Sequence, residues 1–294
     1  MRIAIASIAE LPPEFRDDQR LALALERRGV GVETHAWDDE AVDWPAYDLV
    51  VIRSTWDYTS RRDEFVAWSA TVGERLENAP EVIRWNSDKG YLADLEATGL
   101  PVVETRYLGP GDPLPAIEAE IVIKPTVSGG ARDTGRFGPD SAPTAIELVD
   151  RIHAAGRTAM VQPFLDSVDS SGETALVMIA GEASHALRKR AVLRADEIAP
   201  TRSDGVGAAE AMYDPDLVVV GGATRAELEL ADQVLAEVGR RFGSAPLYAR
   251  VDMLAGPDRS PVLLELEAVE PHLYLDQVRG AADRFAGAII ARAA

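Results

Sequence analysis

Residues 247–269 constrain this chain more than any other stretch. Two runs, LYARVDML at 247–254 and PVLLELEAV at 261–269, flank the turn AGPDRS. The pattern predicts two antiparallel strands joined by a short hairpin. Residues two apart in a strand share a face. Arg250 and Asp252 therefore point the same way, as do Glu265 and Glu267, and the two pairs can lie on one face. Three carboxylates that close repel one another unless cations neutralise them. Hard oxygen donors of this kind suit Mg2+, which commonly combines a few carboxylates with phosphate oxygens. LELE also describes any half-buried strand with one wet face, so the hairpin alone leaves both readings open.

The cations supply a second clue. Of 30 basic residues only Lys89, Lys124 and Lys189 are lysines. Where Arg is the default cation, a retained Lys points to a need for a compact point charge, although codon usage alone would give the same bias. Lys124 ends the apolar run 119–125 directly before Pro125, and Ser128-Gly129-Gly130 lie just beyond. A Lys beside a Gly-rich loop suits a phosphate, because bare backbone N–H groups can close over the anion. A surface loop with a flanking Lys is the bland alternative. No Gly-Lys-Ser/Thr follows the loop, and no Gly-x-Gly-x-x-Gly follows the first apolar run, so neither a Walker A loop nor a dinucleotide site is indicated.

The 294 residues are enough for two or three lobes. A formal net charge of −19 argues against nucleic acid or an anionic membrane as a partner. No apolar run reaches the ~18 residues of a membrane span. The N-terminal stretch reaches acid and Pro quickly and reads as a first strand rather than a signal peptide. Absence of Cys excludes disulfides, thiolate nucleophiles and Cys-based zinc sites, and makes the cytoplasm the default location. Base rates favour a homodimer if the chain assembles.

Strands at 2–8, 30–37 and 47–55, with helices between them and at 61–76, predict a small parallel sheet. A helix follows at 88–98, with Asn86 or Ser87 as its N-cap and Gly99 and Pro101 closing it. Strands are expected at 102–107, 119–125 and 158–164, with a mobile loop at 126–138 and a helix at 141–155. Two strands, 173–180 and 183–192, pair around Gly181. Residues 196–222 are poorly patterned, and helices at about 224–241 and 280–293 flank the hairpin.

The order along the chain carries a resemblance. Lys89, Ile123-Lys124-Pro125, the Gly-rich loop, Val161-Gln162-Pro163-Phe164, Gly172-Glu173, Arg250-x-Asp252 and Glu265-x-Glu267 together resemble the ATP-grasp superfamily over residues 84–275. The preceding β/α lobe is similar to that superfamily's N-terminal domain. Arg53-Ser54-Thr55-Trp56-Asp57-Tyr58 together with LELEAVEP is similar to small single-chain ligases around the O-ureido-serine cyclo-ligase of cycloserine biosynthesis. Glutathione synthetases and RimK-type amino-acid ligases are more distant matches. The resemblance implies an α+β ATP-grasp fold, with lobes 86–161 and 162–294 holding ATP between them behind a β/α lobe at 1–85.

It also implies roles. Lys89 and Lys124 would contact the ATP phosphates, with Ser128, Gly129 and Gly130 closing over them. The backbone of Gln162, Pro163, Phe164 and Leu165 would read adenine, and Glu173 would meet the ribose. Asp252, Glu265 and Glu267 would hold two Mg2+ ions, and Arg250 would stabilise the acyl phosphate and tetrahedral intermediate. Two positions depart from the pattern: many members carry Asn where Glu267 stands, and an acidic residue where Gln162 stands.

Arg53 to Tyr58 follow the third strand, and ligands of open α/β sheets sit beyond the carboxyl ends of strands. Arg53 suits a substrate carboxylate and Asp57 an ammonium, with Ser54, Thr55, Trp56 and Tyr58 around them. A structural turn packed on the adjacent lobe is the alternative. In Arg188-Lys189-Arg190 the alternation lets either Lys189 or the Arg pair face the site, not both. Lys189 is assigned to the chemistry and Arg188 to the substrate. Glu270 and His272 would line the acceptor pocket, His272 as a contact or proton-transfer group. His35 and His153 sit in structural patterns. The activity implied is an ATP- and Mg2+-dependent carboxylate–amine or cyclising ligase on small amino-acid-like carboxylate and amine substrates. A phosphotransferase and a non-catalytic nucleotide-binding module are the rivals. The intact set of Lys89, Lys124, Arg250, Asp252 and Glu265 speaks against decay.

Overall fold

The computed structural model describes residues 1–12, 16–200, 208–214 and 216–294. Its elements are β1 (Arg2–Ser7), α1 (Asp17–Glu26), β2 (Gly31–Ala36), β3 (Leu49–Ile52), α2 (Arg62–Val72), β4 (Leu76–Glu77), α3 (Pro80–Asn86) and α4 (Tyr91–Glu96). There follow β5 (Arg106–Leu108), β6 (Ile121–Pro125), β7 (Gly135–Phe137), α5 (Ala142–Ala154), β8 (Ala159–Pro163), α6 (Ser167–Ser171), β9 (Glu173–Ile179) and β10 (Glu182–Lys189). The chain ends with β11 (Glu197–Ile198), β12 (Val218–Gly221), α7 (Arg225–Phe242), β13 (Tyr248–Ala255), β14 (Pro261–Glu267) and α8 (Ala281–Ala293).

Three sheets organise these elements. The first is parallel, in the order β2-β1-β3-β4. Ile3, Ala4, Ile5 and Ala6 are fully buried, which is why β1 reads as a continuous apolar run rather than an alternating one. The middle sheet, β11-β7-β6-β8-β5, is antiparallel. Its β7 lies within residues 126–138, expected as loop throughout. β8 spans position 161, and β11 returns to this sheet from beyond it.

The third sheet, β12-β10-β9-β13-β14, is also antiparallel and packs on both faces. Ala175, Val177 and Tyr248 meet Leu21, Leu25 and Phe285 of the flanking helices on one side. Leu176, Met178 and Val251 meet Leu230, Val234 and Val238 of α7 on the other. Thr224 starts α7 with a reciprocal cap: the Glu227 N–H donates to Thr224 Oγ1 and the Thr224 N–H to Glu227 Oε2.

The helix predicted at 88–98 forms as α4 (Tyr91–Glu96), and α3, which is not expected, precedes it. Pro80 opens α3, where its missing N–H costs nothing. Asn86, expected as an N-cap, is the last residue of α3. Its side chain instead donates to Leu266 O at 2.8 Å and accepts from the Ala268 N–H at 2.6 Å. Among the described residues no helix is long and apolar enough to cross a membrane.

Candidate active site

The site is one end of one face of the third sheet. Register pairs Arg250 with Glu267 and Asp252 with Glu265 across β13 and β14, after a shift between Asp252 and Met253, so the two pairs share one face as the hairpin allows. Lys189 pairs with Glu173 across β10 and β9. Further along the same face the side chains are Ala175, Val177 and Tyr248, buried in apolar core. The chain thus spends its charged residues at the open end of the sheet and its apolar ones at the closed end.

Four cations and four carboxylates interlock there. Lys189 Nζ donates to Glu173 Oε1 at 2.5 Å and to Asp252 Oδ2 at 2.8 Å. Arg250 donates to both Asp252 oxygens, at 2.7 Å from Nη2 and 2.8 Å from Nε, and also to Glu267. Lys89 Nζ lies 3.1 Å from Glu265, and Lys124 Nζ lies 3.9 Å from it. Burial would raise the Asp252 carboxyl, but Arg250 and Lys189 outweigh it and hold it below the usual range. Burial likewise opposes Lys89 and Lys124 at Glu265, and the lysines win. Glu267 is raised by burial, and Glu265 and Asp252 add to that against Arg250. Burial pushes Glu173 up to about 7 and Glu270 up to about 8, the latter helped by Glu267.

All three lysines line one cavity of about 220 Å³. Ser128, Gly129, Gly130, Gln162, Pro163, Phe164, Leu165, Glu173, Asp252, Glu265 and Glu267 line it too, so the predicted nucleotide residues converge. Lys89 Nζ donates to Ser128 O at 2.6 Å, fastening the Gly-rich loop. Burial lowers the Lys124 pKa. At Gly130 (φ +61) a Cβ would lie 2.6 Å from Ala208 Cβ, and at Gly172 (φ +72) 2.5 Å from Lys189 O, so both close approaches require Gly.

A second cavity of about 460 Å³ shares the Lys89, Lys189, Arg250, Glu265 and Glu267 wall and opens toward Trp56, Tyr58, Glu270, His272 and Tyr274. The charged cluster is therefore the partition between two spaces.

Several expected contacts are corrected. Arg53 is 2% exposed, donates to Pro271 O at 2.7 Å and lies between Asp17 and Asp18. Ser54 and Thr55 are buried, and Asp57 accepts from Trp37 Nε1 and Arg61. Of that segment only Trp56 and Tyr58 reach the larger cavity. Arg188 points to the opposite face, bonding Thr174, Glu227 and Gly222 O, and it is Lys189 that faces the site. At the segment expected to read adenine, Gln162 is committed to Thr105 Oγ1 at 2.9 Å and the Phe164 N–H to Glu120 O at 2.9 Å, while Pro163 has no N–H.

The metal triad is not drawn together. Among the described residues no three His, Cys, Asp or Glu side chains converge to hold an ion. Asp252 is 3% exposed with its oxygens on Arg250 and Lys189, whereas the Glu265 and Glu267 side chains are 19% and 31% exposed toward the cavities. The donor chemistry still fits a hard cation, since two partly open carboxylates stand side by side on one face.

Sequence reasoning missed the residues that hold this face. Edge strand β14 is tied by Asn86, by Tyr91 Oη, which donates to Leu266 O and accepts its N–H at 2.8 Å, and by the Val103 N–H, which donates to Leu263 O. Neither Asn86 nor Tyr91 sits in a motif, so only their polarity within otherwise apolar helical patterns could have marked them, and Val103 acts through its backbone. His35, His153 and His185 bond Tyr47 Oη, Leu108 O and Leu273 O respectively.

Similarity to known proteins agrees with this geometry. Residues 3–78 match the family model for the D-cycloserine synthetase DcsG N-terminal domain. The cycloserine biosynthesis protein DcsG of Streptomyces lavendulae is 35% identical over 303 residues, covering 98% of this chain and 97% of that protein.

The chain belongs to the DcsG family of ATP-grasp ligases.

The crystal structure of D-cycloserine synthetase DcsG superposes with a TM-score of 0.87 at 32% identity, covering all of both chains. A RimK-domain ATP-grasp protein from Sphaerobacter thermophilus shares the fold, with a TM-score of 0.67 at 19% identity over 99% of this chain and 100% of its own. As a DcsG-family member the chain is an enzyme, an ATP-dependent ligase of small molecules that forms a C–N bond.

Proposed function

We propose that this ligase activates the carboxylate of an amino-acid-like substrate as an acyl phosphate and transfers the acyl group to a nitrogen nucleophile, in the same molecule or a second one. One observation carries this: Lys89, Lys189 and Arg250 stand on a wall common to two cavities. An anion on either side of that wall meets the same cations.

In this account ATP occupies the smaller cavity and the organic substrate the larger. Lys89, Lys124 and the Ser128–Gly130 loop hold the phosphates, Glu173 lies beside the ribose, and the Leu165 backbone takes the purine edge. The three lobes, 1–85, 86–161 and 162–294, then supply the substrate wall, the phosphate loop and the charged face. Glu265 and Glu267 would hold Mg2+, with Asp252 kept on Lys189 and Arg250. Bound there, the ion supplies charge neutralisation between nucleotide and carboxylate. The substrate carboxylate oxygen attacks the γ-phosphorus, and the bond to the ADP oxygen breaks. The nitrogen then adds to the acyl carbon and phosphate departs as leaving group. Arg250, fixed by Asp252 and by His272 O at 3.1 Å, faces the developing oxyanion without having to reorganise.

Exclusion of water protects the acyl phosphate. Arg132 donates to Thr59 Oγ1 at 3.1 Å and Arg157 to Thr59 O at 2.8 Å, joining the Gly-rich segment and its neighbour to the 56–60 turn. Mg2+-ATP with a panel of amino acids and O-substituted serines, followed by ADP release and product mass spectrometry, tests the proposal. Substrate-dependent ADP with an amide or ring product supports it. ADP with a phosphorylated final product would make the chain a phosphotransferase instead.

A further inference from the structure

Residues 271–275 follow the charged strand and form neither helix nor strand. Five of their backbone groups are nevertheless held by side chains from elsewhere. Arg53 donates to Pro271 O at 2.7 Å and Arg250 to His272 O at 3.1 Å. The N–H groups of Leu273 and Leu275 donate to the two oxygens of Asp17, at 2.9 and 2.8 Å. His185 Nε2 lies 2.8 Å from Leu273 O. Tyr274 sits at φ 51, a conformation a bulky residue keeps only when its surroundings impose it.

Asp17 is 2% exposed, and both its oxygens serve this segment. Its Oδ2 also lies 3.7 Å from His272 Nε2. The His272 ring packs edge-on to Tyr274 with centroids 4.3 Å apart, and both line the larger cavity. The shape of that wall is therefore written in the N-terminal lobe, more than 200 residues away in sequence.

We propose that Asp17 and Arg53 are positioning residues for the organic substrate. They do not touch it. They set the path of 271–275, which places His272 and Tyr274 on the substrate side while Arg250 holds the same segment from the chemical side. The proposal rests on the reading of the larger cavity as the substrate site.

Asp17→Asn keeps one acceptor and turns an NH2 against the second backbone N–H, and Arg53→Lys keeps the charge but shortens the reach to Pro271 O. For each, KM for the organic substrate should rise about tenfold with kcat within about threefold and the nucleotide KM unchanged. Histidine NMR of the substrate-free protein should show the His272 and His185 resonances shifted in Asp17→Asn and those of His35 and His153 unmoved. An unchanged substrate KM in a folded variant overturns the proposal. So does a parallel rise of both KM values with lost thermal stability, the mark of a merely structural role. If Asp17→Asn does not fold, Arg53→Lys decides by the same measurements. Wild-type protein that forms no substrate-dependent ADP refutes the ligase reading instead. The histidine spectra need no substrate, and an unmoved His272 in Asp17→Asn would by itself overturn the positioning role.

Discussion

Lys189 reaches across an entire strand: from β10 its ammonium passes over β9 and donates to Asp252 Oδ2 on β13 at 2.8 Å. The same nitrogen holds Glu173, so one cation ties the buried Asp252 to a half-buried carboxylate. Removing one partner of a buried ion pair leaves an uncompensated charge and typically costs about 3–5 kcal/mol. Lys189→Met should lose stability on that scale in chemical denaturation, beyond any loss of activity. A change below about 1 kcal/mol would mean that the cluster does not work as a unit.

Glu265 is the meeting point of Lys89, Lys124 and, in the proposed mechanism, Mg2+. Glu265→Gln should lower kcat by at least about a hundredfold, the scale of one lost electrostatic contact in a transition state. Its circular dichroism should stay that of the native protein. Wild-type turnover in this variant would remove the carboxylate from the metal and phosphate site.

Glu270 gives a pH signature. Its carboxyl is pushed up to about 8, by burial first and by Glu267 next. A carboxyl whose folded-state pKa exceeds its unfolded value contributes stability while protonated, and that contribution is lost as pH rises through the folded value. The ligand-free protein should therefore lose stability between about pH 4.5 and 8, the interval bounded by the ordinary carboxylate value and the raised one. In Glu270→Gln this slope should flatten, with a denaturation midpoint above wild type at pH 9. Identical pH profiles would show that Glu270 is ionised at no cost.

Arg188 separates the two faces of β10. It bonds Thr174 and Glu227 beneath α7, away from both cavities. Arg188→Met should cost about 1–2 kcal/mol through the buried Glu227 it leaves behind, with substrate and nucleotide KM values unchanged. A raised substrate KM at unchanged stability would return Arg188 to the substrate site.

Much of this site was legible because the chemistry is written at short range. Parity within each strand puts Arg250 with Asp252 and Glu265 with Glu267, but the pairing of the two strands rests on a register shift between Asp252 and Met253 that the sequence does not show. The scarcity of Lys was informative for a physical reason: all three lysines stand at one cavity in a chain of net charge −19, where an anion needs local cations. The parity of Arg188-Lys189-Arg190 was not legible, because alternation says that neighbours diverge but not which of them turns inward. Arg53 looked like a substrate ligand because strand ends are where ligands sit. Its burial against Asp17, Asp18 and Pro271 O depends on a loop that arrives 218 residues later. Asn86 read as a cap because Asn caps helices, whereas β14, whose edge it satisfies, lies far along the chain.

The most direct test of the acyl-phosphate account is oxygen transfer. Substrate candidates labelled with 18O in the carboxylate, incubated with enzyme and Mg2+-ATP, should yield inorganic phosphate carrying one 18O per turnover, because the attacking carboxylate oxygen leaves with the phosphoryl group. Unlabelled phosphate released alongside ADP and a C–N product would contradict carboxylate activation by phosphoryl transfer.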